Sequence, residues 1–313
     1  YYIDKKNVFL YNKSNKCTGD KIMKKNNVKR IPIVFLIIIA VVSFSVIIYA
    51  TNTITNPTTI TLSDPNLYDA LKKQLSARKI MYNGNDVDQT IEISSKDIEA
   101  IDEFDLSTSN ITDLTGLENF NNLKTLNLSK NTIVTASPLS QLTKLQELNI
   151  SENPINTEIL SAISNLTNLN QLDLANTKMN SDQLEYLKNL NKLTTLTLSS
   201  NNISAVGRIT NLTGITKLDI SVNTSFTDLS QLQSFVNITD LNISGTGITS
   251  LLGIDNLTNL EKLYAADNKG ITSDIHNLYS LSKLKVLNLS SIGINGNRPN
   301  ISFYDLANLP ELE

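Results

Sequence analysis

The stretch Leu123–Ile133, LKTLNLSKNTI, contains the pattern that decides the fold. It follows the frame L-x-x-L-x-L-x-x-N-x-I. In an extended strand, Leu126 and Leu128 lie on one face, and Asn127 between them points to the opposite face. A single unit of this kind cannot bury its own leucines, so the pattern requires similar units stacked on both sides of it.

The frame recurs nine times, and the units open at Ile101, Leu123, Leu145, Leu169, Leu193, Ile215, Ile238, Leu260 and Leu284. The spacings are 22, 22, 24, 24, 22, 23, 22 and 24 residues. These values fall within the roughly 20–29 residues of a leucine-rich repeat, in which each unit supplies one short strand and one return segment. The predicted fold class is therefore an α/β repeat solenoid, a horseshoe with a parallel β-sheet on its concave face. The return segments are too short for long helices and predict 3₁₀ or single helical turns, slightly longer in the 24-residue units.

The asparagine that follows each strand has a predictable structural role. Its short side chain can satisfy backbone groups in the turn that leaves the sheet, where an unpaired buried donor would be costly. The position is kept by Asn131, Asn153, Asn201, Asn223 and Asn268, and it is replaced by Ser109, Thr177, Thr246 and Ile292. Four replacements in nine units predict an irregular ladder within the same fold.

The distribution of charge divides the chain into three parts. Residues 1–30 carry nine Lys/Arg against Asp4 and Asp20, and residues 31–50, IPIVFLIIIAVVSFSVIIYA, carry no charge. Residues 51–313 carry 18 Lys/Arg against 28 Asp/Glu, a net charge of 18 − 28 = −10. This order predicts a cytoplasmic N-terminus and repeats on the extracellular face of the cell. An acidic repeat region also argues against nucleic acid as a partner, because phosphate binding needs a basic surface.

The apolar segment 31–50 has two interpretations, a retained transmembrane helix or a cleaved signal peptide. Read from Met23, a basic start followed by the apolar run is typical of a bacterial export signal. We therefore expect residues 1–30 to be either a basic cytoplasmic segment or partly upstream sequence, with Met23 as the true start. Cys17 is the only cysteine, so the repeat region has no disulfide framework, as in a bacterial surface protein.

Two segments precede the repeats. Residues 51–62, TNTITNPTTITL, are uncharged and Thr-rich, and they are predicted to be a linker. Residues 63–100 are predicted to form an N-terminal cap, because Ser63-Asp64-Pro65 is a strong helix start. Leucines at 67, 71 and 75 predict an amphipathic helix that ends near Ala77. The repeats then occupy residues 101–313, as nine units and a truncated tenth that begins at Leu309.

The sequence resembles a known family over roughly residues 60–313. The segment 93–133, ISSKDIEAIDEFDLSTSNITDLTGLENFNNLKTLNLSKNTI, is similar to bacterial internalin-like leucine-rich repeat proteins, and SDPNLYDALKKQL is similar to the start of their helical cap. The resemblance implies a capped horseshoe, export, and a concave face that grips a protein partner. The sequence departs from the family in its 24-residue units, its lost asparagines and the absence of a visible C-terminal immunoglobulin-like cap.

Strand alternation predicts which side chains face outward on the concave sheet. We expect a protein ligand to contact a surface centred on Lys262, Tyr264 and Asp240. The other candidates are Asp219, Lys217, Asp173, Glu147 and Asn242. The alternative is that these polar residues only keep the sheet solvated, because the face has no Trp or Arg, two of the residues most enriched in binding hot spots.

Catalytic interpretations find little support in the sequence. His276 is the only histidine, and clusters of metal ligands are absent. No catalytic residue, metal or cofactor is therefore predicted. Two function classes remain: a non-catalytic, membrane-anchored or secreted surface protein of the adhesin or internalin type, or a targeting or spacer module of a larger envelope protein or enzyme.

Overall fold

The computed structural model describes residues 54–272, 274–293, 307 and 309–313. The predictions for residues 1–30, for the signal peptide or anchor at 31–50 and for Met23 as the start all lie outside these residues. Within the described ranges, no helix combines the length and apolar character needed to cross a membrane.

The first described elements form a small α+β unit. In chain order they are β1 (Pro57–Thr61), α1 (Pro65–Ala77), β2 (Tyr82–Asn85), β3 (Thr90–Ser94) and α2 (Ser95–Ala100). The three strands form an antiparallel sheet in the order β1-β3-β2. The helix α1 begins and ends where the sequence predicts, and Leu67, Leu71 and Leu75 are fully buried.

The predicted linker over residues 51–62 is wrong for its second half. Residues 57–61 pair antiparallel with β3 along their whole length. Ile60 and Leu62 are buried, because the alternation of threonine with an apolar residue places every second side chain on the core face of a strand. Residues 57–61 therefore belong to the same small α+β unit as β3.

Within the residues that the structure describes, nine parallel strands form the main sheet. They are β4 (Glu103–Asp105), β5 (Thr125–Asn127), β6 (Glu147–Asn149), β7 (Gln171–Asp173), β8 (Thr195–Thr197), β9 (Lys217–Asp219), β10 (Asp240–Asn242), β11 (Lys262–Tyr264) and β12 (Val286–Asn288). They pair in sequence order, each with the same register. The middle residue of each strand from β4 to β11 is buried, so the first and third residues point outward. The predicted parallel solenoid is confirmed.

Side chains of the cap cover the open edge of β4. Gln74 Nε2 donates to the carbonyl of Asp105 at 2.7 Å, and the Arg78 guanidinium donates to the carbonyl of Glu103 at 2.8 Å. An uncovered edge strand exposes backbone groups that invite pairing with another chain. These two side chains therefore pair backbone carbonyls of β4 at this end of the sheet.

The asparagine ladder joins neighbouring repeats, as Asn201 shows. Its Oδ1 accepts the backbone N–H groups of Thr177 at 3.0 Å and Met179 at 2.9 Å. Its Nδ2 donates to the carbonyls of Leu174 at 2.8 Å and Leu198 at 3.0 Å. The same pair of donations, one to its own repeat and one to the preceding repeat, is made by Asn131, Asn153, Asn223 and Asn268.

Threonine fills the asparagine position in two repeats with fewer bonds. Thr177 and Thr246 each donate Oγ1 to a carbonyl of their own repeat, at 2.9 and 3.0 Å. Each hydroxyl also lies within hydrogen-bonding distance of the next repeat's asparagine oxygen, at 3.2 Å for Asn201 and 2.8 Å for Asn268. A hydroxyl has one hydrogen to donate, and neither of these contacts reaches the preceding repeat as the asparagine amide does. The predicted irregular ladder is confirmed.

The residue before the asparagine position adopts the left-handed conformation in every repeat. The φ angles lie between 52° and 65° at Thr108, Lys130, Glu152, Asn176, Ser200, Val222, Gly245, Asp267 and Ser291. Val222 is unfavourable among these residues, because a β-branched side chain is strained at positive φ. It is also 53% exposed, so its side chain gains little from burial.

The return segments are short, as the repeat length predicts. In the described part of the chain they contain one α-helix, α3 (Thr157–Ile163). The other described returns contain 3₁₀ helices, at Leu117–Asn119, Ser137–Gln141, Asp182–Leu187, Gly207–Ile209, Leu229–Leu232, Ile254–Asn256 and Ile275–Ser280. The longest of these segments fall in the 24-residue units. At the far end, the N–H of Glu313 donates to the carbonyl of Lys285 at 3.0 Å, the contact that opens each strand of the sheet. In the earlier units the second residue makes this contact, so Leu312, and not the predicted Leu309, occupies the opening position of a repeat here.

Candidate functional site

The outward face of the main sheet holds all eight predicted binding residues. We call this surface, formed by the first and third residues of β4–β12, the sheet face. Lys217, Asp240 and Lys262 lie side by side at the first position of β9–β11. Asp219, Asn242 and Tyr264 lie side by side at the third position of the same strands. The structure therefore brings six of the eight together, and it places Glu147 and Asp173 on β6 and β7.

Two shallow depressions lie on the sheet face. The first spans β8–β11 with a volume of about 290 Å³, and its outward lining residues are Thr195, Thr197, Lys217, Asp219, Asp240, Asn242 and Tyr264. The second spans β5–β8 with a volume of about 300 Å³, and it includes Glu147, Gln171 and Asp173. Both are lined by Thr195 and Thr197, so they adjoin at β8.

The third strand position has a structural task that the sequence reasoning missed. In seven of the nine strands its side-chain oxygen accepts the backbone N–H two residues later, at 2.9–3.1 Å. These residues are Asp105, Asn127, Asn149, Asp173, Asp219, Asn242 and Asn288. The recurrence of Asp or Asn immediately before the second strand leucine was the signal, because these side chains stabilise turns in this way. Asp173, Asp219 and Asn242 are thus partly structural residues.

Thr197 and Tyr264 are the two exceptions at the third position. Neither makes the turn contact, and both line the first depression. Tyr264 is half-buried and aromatic, which gives it a large apolar surface with a polar tip at low entropic cost. The side chains of these two residues therefore do not take part in the turn, unlike the third residues of the other seven strands.

Six charged residues of the sheet face make no salt bridge with the other described residues. None of the salt bridges within the described ranges involves Glu147, Asp173, Asp219, Lys217, Asp240 or Lys262. Gln171 Nε2 donates to Glu147 at 3.0 Å, and Asn242 Nδ2 donates to Asp219 at 3.1 Å. These neutral donors stabilise the carboxylates without neutralising them, so the charges remain available to a partner.

Asp173 is the sheet-face carboxyl with a perturbed acidity. Burial raises its pKa above the usual value, and the nearby charges of Asp219 and Glu152 raise it further. The N–H of Ala175 donates to Oδ1 at 2.9 Å and acts in the opposite direction. The ionised form of Asp173 is therefore disfavoured by the fold itself.

The remaining candidates for chemistry do not come together. His276 is exposed in the 3₁₀ helix Ile275–Ser280, outside the sheet face. In the part of the chain that the structure describes, no three His, Cys, Asp or Glu side chains are arranged to hold a metal ion. The sheet face offers hydrogen-bonding groups, charges and one aromatic ring, which suit recognition of another molecule.

A nine-stranded parallel sheet with one short return per unit and an asparagine ladder defines a leucine-rich repeat protein. The leucine-rich repeat model (two copies) matches residues 121–165. The crystal structure of internalin C2 from Listeria monocytogenes is 30% identical, with a TM-score of 0.54, over 83% of this chain and 96% of that chain. This chain therefore belongs to the internalin family of leucine-rich repeat proteins.

Two other solved structures are similar to this chain. The internalin inlF of Listeria monocytogenes is 26% identical over 81% of each chain, with a TM-score of 0.57. A leucine-rich repeat protein of Leptospira interrogans, 23% identical over 71% of this chain and 56% of its own, has the same fold with a TM-score of 0.59. No curated protein sequence matches this chain.

Proposed function

We propose that this chain is a bacterial cell-surface or secreted protein that binds a protein partner through the sheet face, without catalysing a reaction. The observation that carries the proposal is the first depression, which five predicted residues line and which Lys262 adjoins, without ion pairs of their own among the described residues. Leucine-rich repeat solenoids present extended surfaces of this kind for binding. Tyr264 and the flanking charges of Lys262 and Asp240 form the centre of the proposed contact.

The experiment that tests this proposal is a pull-down with the immobilised full chain from host-cell and bacterial-envelope extracts. Captured proteins are compared between the native chain and the double variant Lys262→Ala/Tyr264→Ala. Loss of an aromatic hot spot costs about 2 kcal/mol or more, a reduction of about thirtyfold in affinity. We expect a saturable protein partner that the double variant no longer retains, while its circular dichroism is unchanged.

A matched control removes the same residue types from the return side of the repeats. Lys283 and Tyr279 lie outside the sheet face, and Lys283 contacts Asn259 of the neighbouring repeat. The variant Tyr279→Ala/Lys283→Ala should retain the partner. Equal capture by both double variants would refute a sheet-face contact, and capture of wall polymer alone would favour a spacer or targeting role.

The proposed location is the extracellular face of the bacterial cell, by membrane anchoring or by secretion. It is supported by the order of a basic segment, an apolar segment and an acidic repeat region along the chain. Digestion of intact cells with trypsin should release repeat peptides such as those that end at Lys217 and Lys262. Peptides that appear only after cell lysis would exclude this location.

A further inference from the structure

We propose that the two depressions form one footprint for an extended segment of the partner protein. A basic side chain of that segment would lie between Glu147 and Asp173, and an apolar or aromatic side chain would pack against Tyr264. This inference rests on the proposed function, because it specifies the chemistry of the partner that the sheet face receives.

The charge balance of the face favours a basic partner. Glu147 and Asp173 are the charged residues that line the second depression, and no lysine or arginine lines it. From β4 to β8 the first and third positions hold four carboxylates and no cation, and only Glu103 among them has an ion pair, with Arg78 of the cap. Complementary charge steers association and fixes the register of a complex. A lysine or arginine side chain is the group that this part of the face lacks.

Asp173 carries a charge that its structural task does not need. Asn127 and Asn149 occupy the same position in the two preceding strands, and they accept the same backbone contact at 3.0 Å with a neutral amide. Apart from the bond to the N–H of Ala175, Asp173 makes no hydrogen bond to the described residues. A lysine or arginine side chain of a partner would neutralise this charge without disturbing the turn contact.

The second proposed contact, on Tyr264, involves the two third-position residues that make no turn hydrogen bond. Thr197 and Tyr264 line the first depression. The Thr197 hydroxyl and the Tyr264 ring make no hydrogen bond to the following turn. An aromatic or aliphatic side chain packed on Tyr264 excludes water and adds apolar burial, as at the centre of protein interfaces. The shared lining at Thr195 and Thr197 allows one segment to cross both depressions.

The geometry also predicts the spacing of the two side chains. Four strand intervals separate β7 from β11, and adjacent strands lie about 4.8 Å apart, which makes a distance of about 19 Å. An extended segment advances about 3.3 Å per residue, so about six residues cover that distance. The partner segment should therefore carry its basic residue and its aromatic residue about six positions apart.

A peptide with that spacing provides the test. Fluorescein-labelled GSRTSTSTFSG, with arginine and phenylalanine six positions apart, is titrated with the full chain by fluorescence anisotropy in about 0.1 M salt, where exposed charges are partly screened. Its control replaces arginine with citrulline, which is nearly isosteric and neutral. We expect the arginine peptide to bind about five- to tenfold more tightly, the range of a partly desolvated ion pair.

Matched variants connect the preference to the second depression. Glu147→Gln/Asp173→Asn should remove the preference for arginine, whereas Glu99→Gln/Asp255→Asn, which removes two exposed carboxylates elsewhere, should keep it. Three outcomes would overturn the inference. They are equal affinity for the two peptides, no measurable binding of the arginine peptide, and a preference for arginine that persists in Glu147→Gln/Asp173→Asn. In those cases the proposed function would still stand if the pull-down partner binds the native chain and not Lys262→Ala/Tyr264→Ala. If the partner is captured equally well by Lys262→Ala/Tyr264→Ala while the arginine preference persists, the contact at Tyr264 is refuted in both proposals and the predicted spacing is refuted with it.

Discussion

Replacing Asp64 with asparagine should detach the N-terminal cap from the first repeat. One carboxylate oxygen accepts the N–H groups of Asn66 at 2.7 Å and Leu67 at 3.3 Å, which caps α1. The other accepts the N–H and hydroxyl of Thr112 at 2.6 and 2.8 Å and the N–H of Asp113 at 3.0 Å. Asp64 is 2% exposed, so the five bonds are shielded from water.

The size of the effect follows from the difference between a carboxylate and an amide. In the variant, the single oxygen of the introduced amide can serve only one set of donors, and the NH₂ group then faces the donors of the other set. At least two bonds to a charged acceptor are lost, each worth about 1.5–3 kcal/mol and not fully additive. We expect Asp64→Asn to lower the free energy of unfolding by about 3–5 kcal/mol.

The pH dependence gives an independent readout. Burial acts to raise the pKa of Asp64, but the hydrogen bonds from Thr112, Asp113 and Asn66 outweigh it and hold the pKa below the usual value. The carboxylate therefore stabilises the fold above its unfolded pKa, about 3.9, and this stabilisation is lost as the pH falls through the folded pKa. The gap between the native chain and Asp64→Asn should be constant near neutral pH and shrink in that acidic window.

Urea unfolding followed by circular dichroism measures this gap at each pH, and hydrogen exchange of α1 amides locates it. Asp255→Asn serves as the control, because Asp255 is exposed and its substitution should change stability by less than about 0.5 kcal/mol. A loss below about 1 kcal/mol for Asp64→Asn, or a gap that does not depend on acidic pH, would refute the assignment of Asp64 as the link between the cap and the repeats.

Three further substitutions test other parts of the structure. Val222→Gly should stabilise the fold by about 1 kcal/mol in thermal unfolding, because it relieves a φ of 57° on a β-branched residue; a lower melting temperature would contradict this strain. Asn201→Ala should lower the free energy of unfolding in urea by about 3–4 kcal/mol, since it leaves buried backbone groups of Met179, Leu174 and Leu198 unpaired. Asn201→Thr should recover part of this loss. Equal losses in the two variants would show that the hydrogen bonds of the asparagine ladder do not determine the stability. Asp173→Asn should stabilise the fold by less than about 1 kcal/mol near neutral pH, a value discounted for solvent screening because the carboxyl is only half-buried. Since the folded pKa of Asp173 is raised, its unfavourable effect is absent below the unfolded pKa and appears as the pH rises through the folded pKa. Urea unfolding at two pH values measures it, and an advantage that persists in acid would contradict the burial of this charge.

Much of the architecture follows from local sequence patterns. The two-residue spacing of Leu126 and Leu128 predicts a short strand with one buried face, and the repeat period predicts that such strands stack in parallel. Both are confirmed, and the pattern Ser63-Asp64-Pro65 placed the start of α1 correctly. Strand alternation also predicted the outward residues of the sheet face, because successive side chains of a strand point to opposite faces and the leucines must face the core.

The sequence alone determined the solenoid, its strands, the bounds of α1 and the list of outward-facing side chains, since each depends on contacts within a repeat, within one helix or between similar neighbours. The tertiary structure decided how those side chains are used. It showed that Asp64 links residues 48 positions apart, that β1 belongs to the same small α+β unit as β3, and that Asp173 and Asp219 stabilise their own turns. It also joined the lining of β5–β11 into two adjoining depressions. These features depend on distances between different strands and on which donors remain unpaired after folding, and a repeating pattern along one chain carries no record of either.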